Sequence, residues 1–348
     1  MEAYKYMVCT RCITFNHAHY IEDALRGFAM QETTFSAVFV VVDDASTDGT
    51  PEILRQWANN NLNTQDPIAY ERDTDDAHVI FAPLNNKPNL HFVVFLLKYN
   101  HFSQKKPKDS YIAEWSDQAK YHAFCEGDDY WNHPLKLQKQ FTFMEANPDY
   151  SLCGCSTIWR NELKGKAMKK GVVPHDQSFS TEYLILYPRM FPTVSYFIRN
   201  DVLQNRVKWD FPVGDIPIVL WCAIHGKVEM LAETMCVYRL FAKGSWTEQN
   251  ANPKKRADVV RKMMAGAENF NEYTNHKYDK AIQEKIRNHR YTLALMTRDF
   301  DAIIHTDLAE KYKKRKLLYR MSDYFRCKHP KIYNKMQFFI GRNILLEE

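Results

Sequence analysis

Three short stretches concentrate the residues able to do chemistry: Thr14-Phe15-Asn16, Asp43-Asp44-Ala45-Ser46-Thr47-Asp48-Gly49, and Glu126-Gly127-Asp128-Asp129-Tyr130-Trp131. The second and third are acidic, and carboxylates gathered at neighbouring strand ends raise one another's pKa unless something positive lies between them. A divalent cation is the economical answer. Oxygen ligands suit Mg²⁺ or Mn²⁺, and Mg²⁺ is usually held by one or two carboxylates together with substrate phosphates. Each stretch also has a plainer reading. Asp, Ser and Thr are common turn and N-cap residues, and acids before a helix that starts near Pro134 suit its N-terminus.

The elements that must position these residues follow from the apolar pattern. A strand over Tyr6 to Ile13, a helix over Ile21 to Met30, a strand over Val38 to Val42 and a helix after Thr47 imply a parallel sheet. The run Phe39 to Val42 is continuous rather than alternating, as expected for a strand buried on both faces. It ends abruptly in Asp43 and Asp44. Residues 59–90 read as a long surface excursion, followed by a strand over His91 to Leu97 and a basic, polar loop over Asn100 to Asp109. A helix around Ile112 to Lys120 leads to a strand over Tyr121 to Cys125, and the acidic cluster comes directly at its C-terminal end. In open α/β sheets ligands bind beyond the carboxyl ends of the strands, so all three stretches lie where a ligand belongs.

Further along, Pro134 opens a helix through Ala146 and Tyr150 to Thr157 reads as a strand. Residues 164–171 read as a polar basic loop, Val194 to Ile198 as a strand, Asp215 to His225 as a helix and Val228 to Leu240 as a strand. From Asn252 onward the pattern is helical and rich in charge.

Composition narrows the class. With 348 residues, 45% hydrophobic and 26% charged, the chain reads as globular, long enough for one large domain or a catalytic domain with an appendage. The net charge is only +5, with Lys and Arg crowded into 253–262 and 312–332. No recognition helix, zinc finger or RNA-binding signature accompanies them, so nucleic acid is not expected as a partner. The eight cysteines lie mostly in apolar runs rather than in a loop-rich disulfide framework, which fits a reducing cytoplasm and not a zinc site. No leader pattern begins the sequence, and nowhere do about 18 apolar residues run together.

Taken jointly, the strand into Thr-Phe-Asn, the Val-rich strand into Asp-Asp-Ala-Ser-Thr-Asp-Gly-Thr and the distal Glu-Gly-Asp-Asp-Tyr-Trp before a Pro-led helix resemble the family 2 glycosyltransferases, which have the GT-A fold. The likeness runs over roughly residues 5–150, and Glu-Gly-Asp-Asp-Tyr-Trp followed by Pro-x-Lys-Leu looks like a subgroup of bacterial polysaccharide-building enzymes. The resemblance implies a Rossmann-like mixed sheet flanked by helices. The expected division is a GT-A domain over 1–250, its nucleotide-binding half about 1–130 and its acceptor half about 131–250. A helical, basic region is expected over 251–348.

The resemblance further implies that Thr14 and Asp44 contact the nucleobase, supported by Asn16 and Asp43. Glu126 and Asp128 fall on the acidic positions of the family's D-x-D signature, with Asp129 an adjacent acid able to take the Mn²⁺ or Mg²⁺ in company with Asp128. Which acid binds metal and which ribose is left open. Gly-Asp-Ile-Pro resembles the base position, making Asp215 the expected catalytic base, although an N-cap is its plainer role. Val237-Tyr238-Arg239 resembles a Tyr-Arg element, and Arg239 suits a phosphate. Where the family carries a His two residues later, this chain has Phe241.

The resulting expectation is an inverting glycosyltransferase using a nucleotide sugar, with uridine diphosphate as carrier, and a saccharide or lipid-linked glycan as acceptor. The protein would be cytoplasmic, touching the inner face of the membrane through its basic C-terminal region. A non-catalytic carbohydrate-binding or scaffolding relative is the alternative. A sugar nucleotidyltransferase fits less well, because residues 14–20 contain no glycine for a phosphate loop.

Overall fold

β1 (Tyr6–Thr14), α1 (Ile21–Ala29), β2 (Ala37–Asp43) and α2 (Thr50–Asn61) realise the alternation of strand and helix in a computed structural model of the chain, which describes residues 4–334 apart from 169–170, 208 and 251. α1 forms because Ile21, Ala24, Leu25 and Phe28 recur at helical spacing and bury one face. Every residue of β2 is buried, as its uninterrupted apolar run requires.

The segment 59–90 departs from expectation. β3 (Tyr70–Asp73) and β4 (Ala77–Leu84) form an antiparallel ribbon with β5 (Lys87–Leu97), so half of the supposed excursion belongs to the sheet. Asn85 and Asn86 make a two-residue connection between β4 and β5, a loop length and composition typical of tight hairpins. The polar residues around β4 disguise a strand whose own side chains are nearly all buried.

Next come α3 (Asp109–Ser116), β6 (Ala119–Phe124), β7 (Tyr130–Trp131), α4 (Lys136–Ala146) and β8 (Tyr150–Asn161). β9 (Lys166–Met168) pairs with β8, so the expected loop at 164–171 contains a short strand, while its residues 169–170 lie outside the described residues. β10 (Gln177–Phe179), α5 (Thr181–Leu186), β11 (Phe197–Arg199), α6 (Asn200–Gln204), α7 (Asp215–His225), β12 (Lys227–Leu240) and α8 (Trp246–Gln249) follow.

Together the strands make one mixed sheet in the order β10-β12-β8-β11-β6-β1-β2-β5-β4-β3, with β7 on β12 and β9 on β8. β6, β1, β2 and β5 run parallel, and the antiparallel strands lie to either side. One face is packed by α1, with Phe28 on Phe39 at 5.1 Å and on Trp131 at 5.0 Å. The other is packed by Ile112 and Trp115 of α3 against Val38, Val40 and Phe95. Gly27 lets α1 approach β7, because a Cβ there would stand 2.8 Å from the Trp131 carbonyl oxygen. Lys136, fully buried, donates to Gln140 at 2.7 Å and lies 4.2 Å from the centre of the Trp131 ring, which explains how a lysine survives in this core.

The chain divides into two compact units, residues 1–208 with 214–249 and residues 209–213 with 250–348. The second is helical: α9 (Pro253–Tyr273), α10 (Asp279–Thr297), α11 (Phe300–His305), α12 (Leu308–Lys314) and α13 (Leu317–Lys328). Within it, Tyr291 donates to Asp323 at 2.5 Å and Arg315 pairs with the same carboxylate at 2.9 Å.

Candidate active site

Thr14, Asn16, Asp43, Asp44, Glu126, Asp128, Asp129 and Arg239 come from four strand ends and meet at one edge of the sheet. The turns after β1 and β2 are stitched together. The Asn16 N–H donates to Ser46 Oγ at 2.8 Å, the Thr47 N–H donates to Asn16 Oδ1 at 2.8 Å, and the His17 N–H donates to Thr50 Oγ1 at 3.0 Å. Asn16 and Ala45 both adopt positive φ, which shapes these tight turns. Thr14 is fully buried, with its Oγ1 3.1 Å from His17 Nδ1.

Asp43 accepts from the Ser46 N–H at 3.1 Å and from Ser46 Oγ at 2.5 Å. Burial nevertheless pushes its pKa up to about 6, against the pull of those two bonds. Asp44 is equally buried and heavily used: its carboxylate accepts from the His101 N–H at 2.6 Å, the Phe102 N–H at 3.1 Å and Lys108 Nζ at 2.8 Å. It thereby folds the basic loop after β5 over the end of β2.

The acid turn after β6 is docked onto β1. The Ile13 N–H donates to Glu126 Oε2 at 3.1 Å, and the Gly127 N–H donates to the Ile13 carbonyl at 3.0 Å. Only glycine fits at 127, since a Cβ would lie 2.4 Å from Thr14 Oγ1. Burial raises the pKa of Glu126, with Arg11 opposing and Asp128 adding to the rise. Asp129 is also raised, first by burial and then by Asp128. It is only 2% exposed and accepts the Arg239 N–H at 2.7 Å, so it fastens the turn to β12. Asp128 differs from its neighbour: it is half-buried, and its carboxylate accepts no hydrogen bond from any described residue.

Arg239 is 4% exposed and its guanidinium is engaged. It donates to the Asp128 carbonyl at 2.9 Å, pairs with Asp23 and Glu162, and lies between the rings of Tyr20 and Tyr130. The segment after it turns back sharply. Phe241 takes a positive φ and donates its N–H to Thr247 Oγ1 at 2.9 Å, and Gly244 comes near the Phe15 and Asn16 carbonyls.

Asp215 opens α7, with one oxygen accepting its neighbour's Ile216 N–H at 2.8 Å. Burial raises its pKa. Burial raises the pKa of the Tyr238 hydroxyl, and the charges of Asp129, Asp215 and Asp128 add to the rise. His225 closes α7, its Nδ1 2.8 Å from the Trp221 carbonyl.

The fit for a divalent ion is partial and specific. Among the described residues no three His, Cys, Asp or Glu side chains converge to hold one unaided. Asp128 suits a single carboxylate ligand completed by substrate phosphates, whereas Asp129 is spent on the β12 backbone.

Several contributors lay outside the sequence expectation: His17, Asp23, Glu162, His101 and Lys108. His17 stands next to the Thr-Phe-Asn stretch and was recoverable from adjacency. The others reach the site across 57 to 216 positions of sequence, and no local spacing marks them.

Residues 12–77 match the sequence model described as Glycosyl transferase family 2. Among curated relatives, the uncharacterized protein Rv1520 of Mycobacterium tuberculosis is 29% identical over 255 residues, 70% of this chain and 61% of that one. TuaG of Bacillus subtilis, named as a teichuronic acid biosynthesis glycosyltransferase, is 27% identical over 159 residues, 45% of this chain and 50% of that one. The matched region thus spans about half to three fifths of these relatives' lengths. Among solved structures, S. aureus TarS 1–349 superposes with a TM-score of 0.52 at 14% identity, covering 93% of this chain and 82% of that chain. Its complex with UDP-GlcNAc gives 0.51 at 14% identity, with 92% and 79% covered. Likeness at this identity speaks to the fold, which is GT-A.

Proposed function

We propose that this chain, which belongs to glycosyl transferase family 2 and carries the GT-A fold, moves a sugar from a uridine diphosphate donor to a saccharide or lipid-linked glycan with inversion. The observation that carries the reading is the contrast at the acid turn: Asp128 keeps an unused carboxylate at the strand edge, while every acid around it is tied into the fold. TuaG's name supports a polysaccharide-building role, and the UDP-GlcNAc bound by TarS supports a uridine nucleotide.

In this reading Thr14, Asn16, Asp43 and Asp44 shape the nucleoside pocket and Glu126 borders it towards the ribose. Asp128 holds Mn²⁺ or Mg²⁺ together with the donor diphosphate. When bound, the ion offsets negative charge on the departing nucleoside diphosphate. Arg239 acts as a positioning residue that braces the Asp128 carbonyl and the Asp129 carboxylate. Ionised Asp215 takes the proton of the acceptor hydroxyl as that oxygen bonds to the anomeric carbon and the carbon–phosphate-oxygen bond breaks. A pKa raised by burial makes it a stronger base. The test is donor hydrolysis and transfer by the purified chain, read from the released nucleotide. Turnover abolished in Asp215→Asn with nucleotide binding kept supports the assignment, and hydrolysis equal in both refutes it.

The finer partner reading, peripheral contact with a membrane, draws support from α13. Leu317 and Leu318 are 69% and 72% exposed and Met321 is 47% exposed, and they are flanked by Lys313, Lys314, Lys316 and Arg320. An apolar stripe edged with cations suits an anionic bilayer surface. Among the described residues no helix is long and apolar enough to cross a membrane. Residues 335–348 of the basic C-terminal region lie outside the described residues. Sedimentation with anionic vesicles, lost in Leu317→Asp/Leu318→Asp, is the expected result; equal sedimentation of both proteins contradicts it.

A further inference from the structure

β1 runs between two parallel neighbours, and all of its residues are apolar or small and neutral except Arg11. A guanidinium in the middle of a central strand needs a partner or water. Arg11 is half-buried, its buried Nε has no hydrogen-bond partner, and it makes no ion pair with a described residue. It lies 5.7 Å from the centre of the Phe124 ring, its opposite number on β6. His122 stacks on the same ring at 4.9 Å, is 8% exposed, and its Nε2 likewise has no partner.

A second guanidinium acts electrostatically on both of them. Arg206, just past α6, is half-buried and makes no ion pair with a described residue, and its pKa is lowered by burial and then by Arg11. Burial and the two arginines together press His122 down to about 3, which keeps it neutral. The charges of Glu126 and Arg11 are felt by one another, as are those of the exposed Asp109 and Arg206, yet neither acid forms an ion pair with its arginine. Two cations and a neutral imidazole, with donors unspent, are the groups that suit one oxyanion. Phe124 also ties this place to the reaction centre. It packs on Tyr196 at 5.8 Å, and the Tyr196 hydroxyl donates to the Asp215 carbonyl at 3.4 Å.

We propose that Arg11, Arg206 and His122 form a subsite for an oxyanion carried by a substrate, a phosphate or a carboxylate, beside the acid turn. The word substrate rests on the glycosyl-transfer reading; the anion does not. The plainer role, Arg11 merely offsetting Glu126, leaves Arg206 and the orphaned His122 nitrogen without a purpose.

The test titrates inorganic phosphate into the ¹⁵N-labelled full chain while following the His122 ring nitrogens, assigned with His122→Gln. A saturable shift of that ring, weakened at least tenfold in Arg206→Gln and in Arg11→Gln with UDP affinity retained, is the expected result. Should Arg11→Gln lose UDP binding as well, Arg206→Gln decides alone. A ring that phosphate leaves unmoved, or moves equally in wild type and Arg206→Gln, overturns the subsite. The source of the anion is read from paired donors. Tighter binding of UDP-glucuronate than UDP-glucose, with the preference lost in Arg206→Gln, assigns it to the donor sugar; equal binding with phosphate recognition intact assigns it to the acceptor. Failure of UDP to bind wild type counts against glycosyl transfer and leaves the phosphate result standing.

Discussion

The turns after β2 and β6 each present two consecutive aspartates at the same edge of the sheet, and they use them differently. After β2 both are consumed: Asp43 holds Ser46, and Asp44 gathers the backbone of 101–102 and Lys108. After β6 Asp129 is consumed by the Arg239 N–H, while the Asp128 carboxylate accepts no hydrogen bond from any described residue. Two acids adjacent in sequence can thus divide into an anchor and a carboxylate left open. The distinction is made by which backbone N–H groups reach their oxygens, because a carboxylate whose lone pairs are filled has little left for an ion.

The largest expected effect lies at neither turn but at Asp215, the proposed base. Asp215→Asn is expected to lower kcat by roughly 10²- to 10⁴-fold. UDP affinity should stay unchanged, checked by single-turnover kinetics beside calorimetry. Because the ionised form is the base and burial raises its pKa, the acid limb of the kcat profile should lie above the ordinary carboxylate range, with activity lost as pH falls. A limb at an ordinary carboxylate pKa would detach catalysis from this residue.

Anchors should register as stability. Asp129→Ala is expected to cost about 1–3 kcal/mol in chemical denaturation, because it orphans the buried Arg239 N–H. If it costs nothing while abolishing metal dependence, the anchor and ligand roles are reversed. Gly127→Ala tests the same turn through sterics, with a cost of about 1–3 kcal/mol from the clash with Thr14.

The smallest effect is a slope. Asp43 in the folded chain titrates at about 6, above its unfolded value, so the native state binds the extra proton. Its contribution is therefore full below about pH 4 and is lost as pH rises through 6. Denaturation at pH 4 and 7 should show this fall in wild type and a flatter course in Asp43→Asn; parallel courses would place the Asp43 titration elsewhere.

Much of the scaffold could be read from the sequence because it is locally encoded. The Val38–Val42 run announced a buried parallel strand, and its abrupt end in Asp43 and Asp44 marked the ligand edge. Asp215 following Gly214 marked a helix start. The hairpin of β4 and β5 was missed because Pro83, Asn85 and Asn86 look like loop, whereas strand pairing with β5 decides the outcome. Arg239 suggested a phosphate ligand by residue type, but the distant acids Asp23 and Glu162 occupy it. The lysine of Pro-x-Lys-Leu is likewise held inside the core by Trp131 and Gln140. In each case the deciding partner is remote in sequence or set by tertiary packing, so spacing alone carries no trace of it.

The central claim is that Asp128, and not its neighbour, is the carboxylate that serves a metal-bound diphosphate. Isothermal titration of UDP into wild type, Asp128→Asn and Asp129→Asn, each with and without Mn²⁺, tests it directly. The account predicts Mn²⁺-dependent binding in wild type that survives in Asp129→Asn and disappears in Asp128→Asn, with the melting temperature of Asp128→Asn unchanged. Mn²⁺-dependent binding that persists in Asp128→Asn would contradict it.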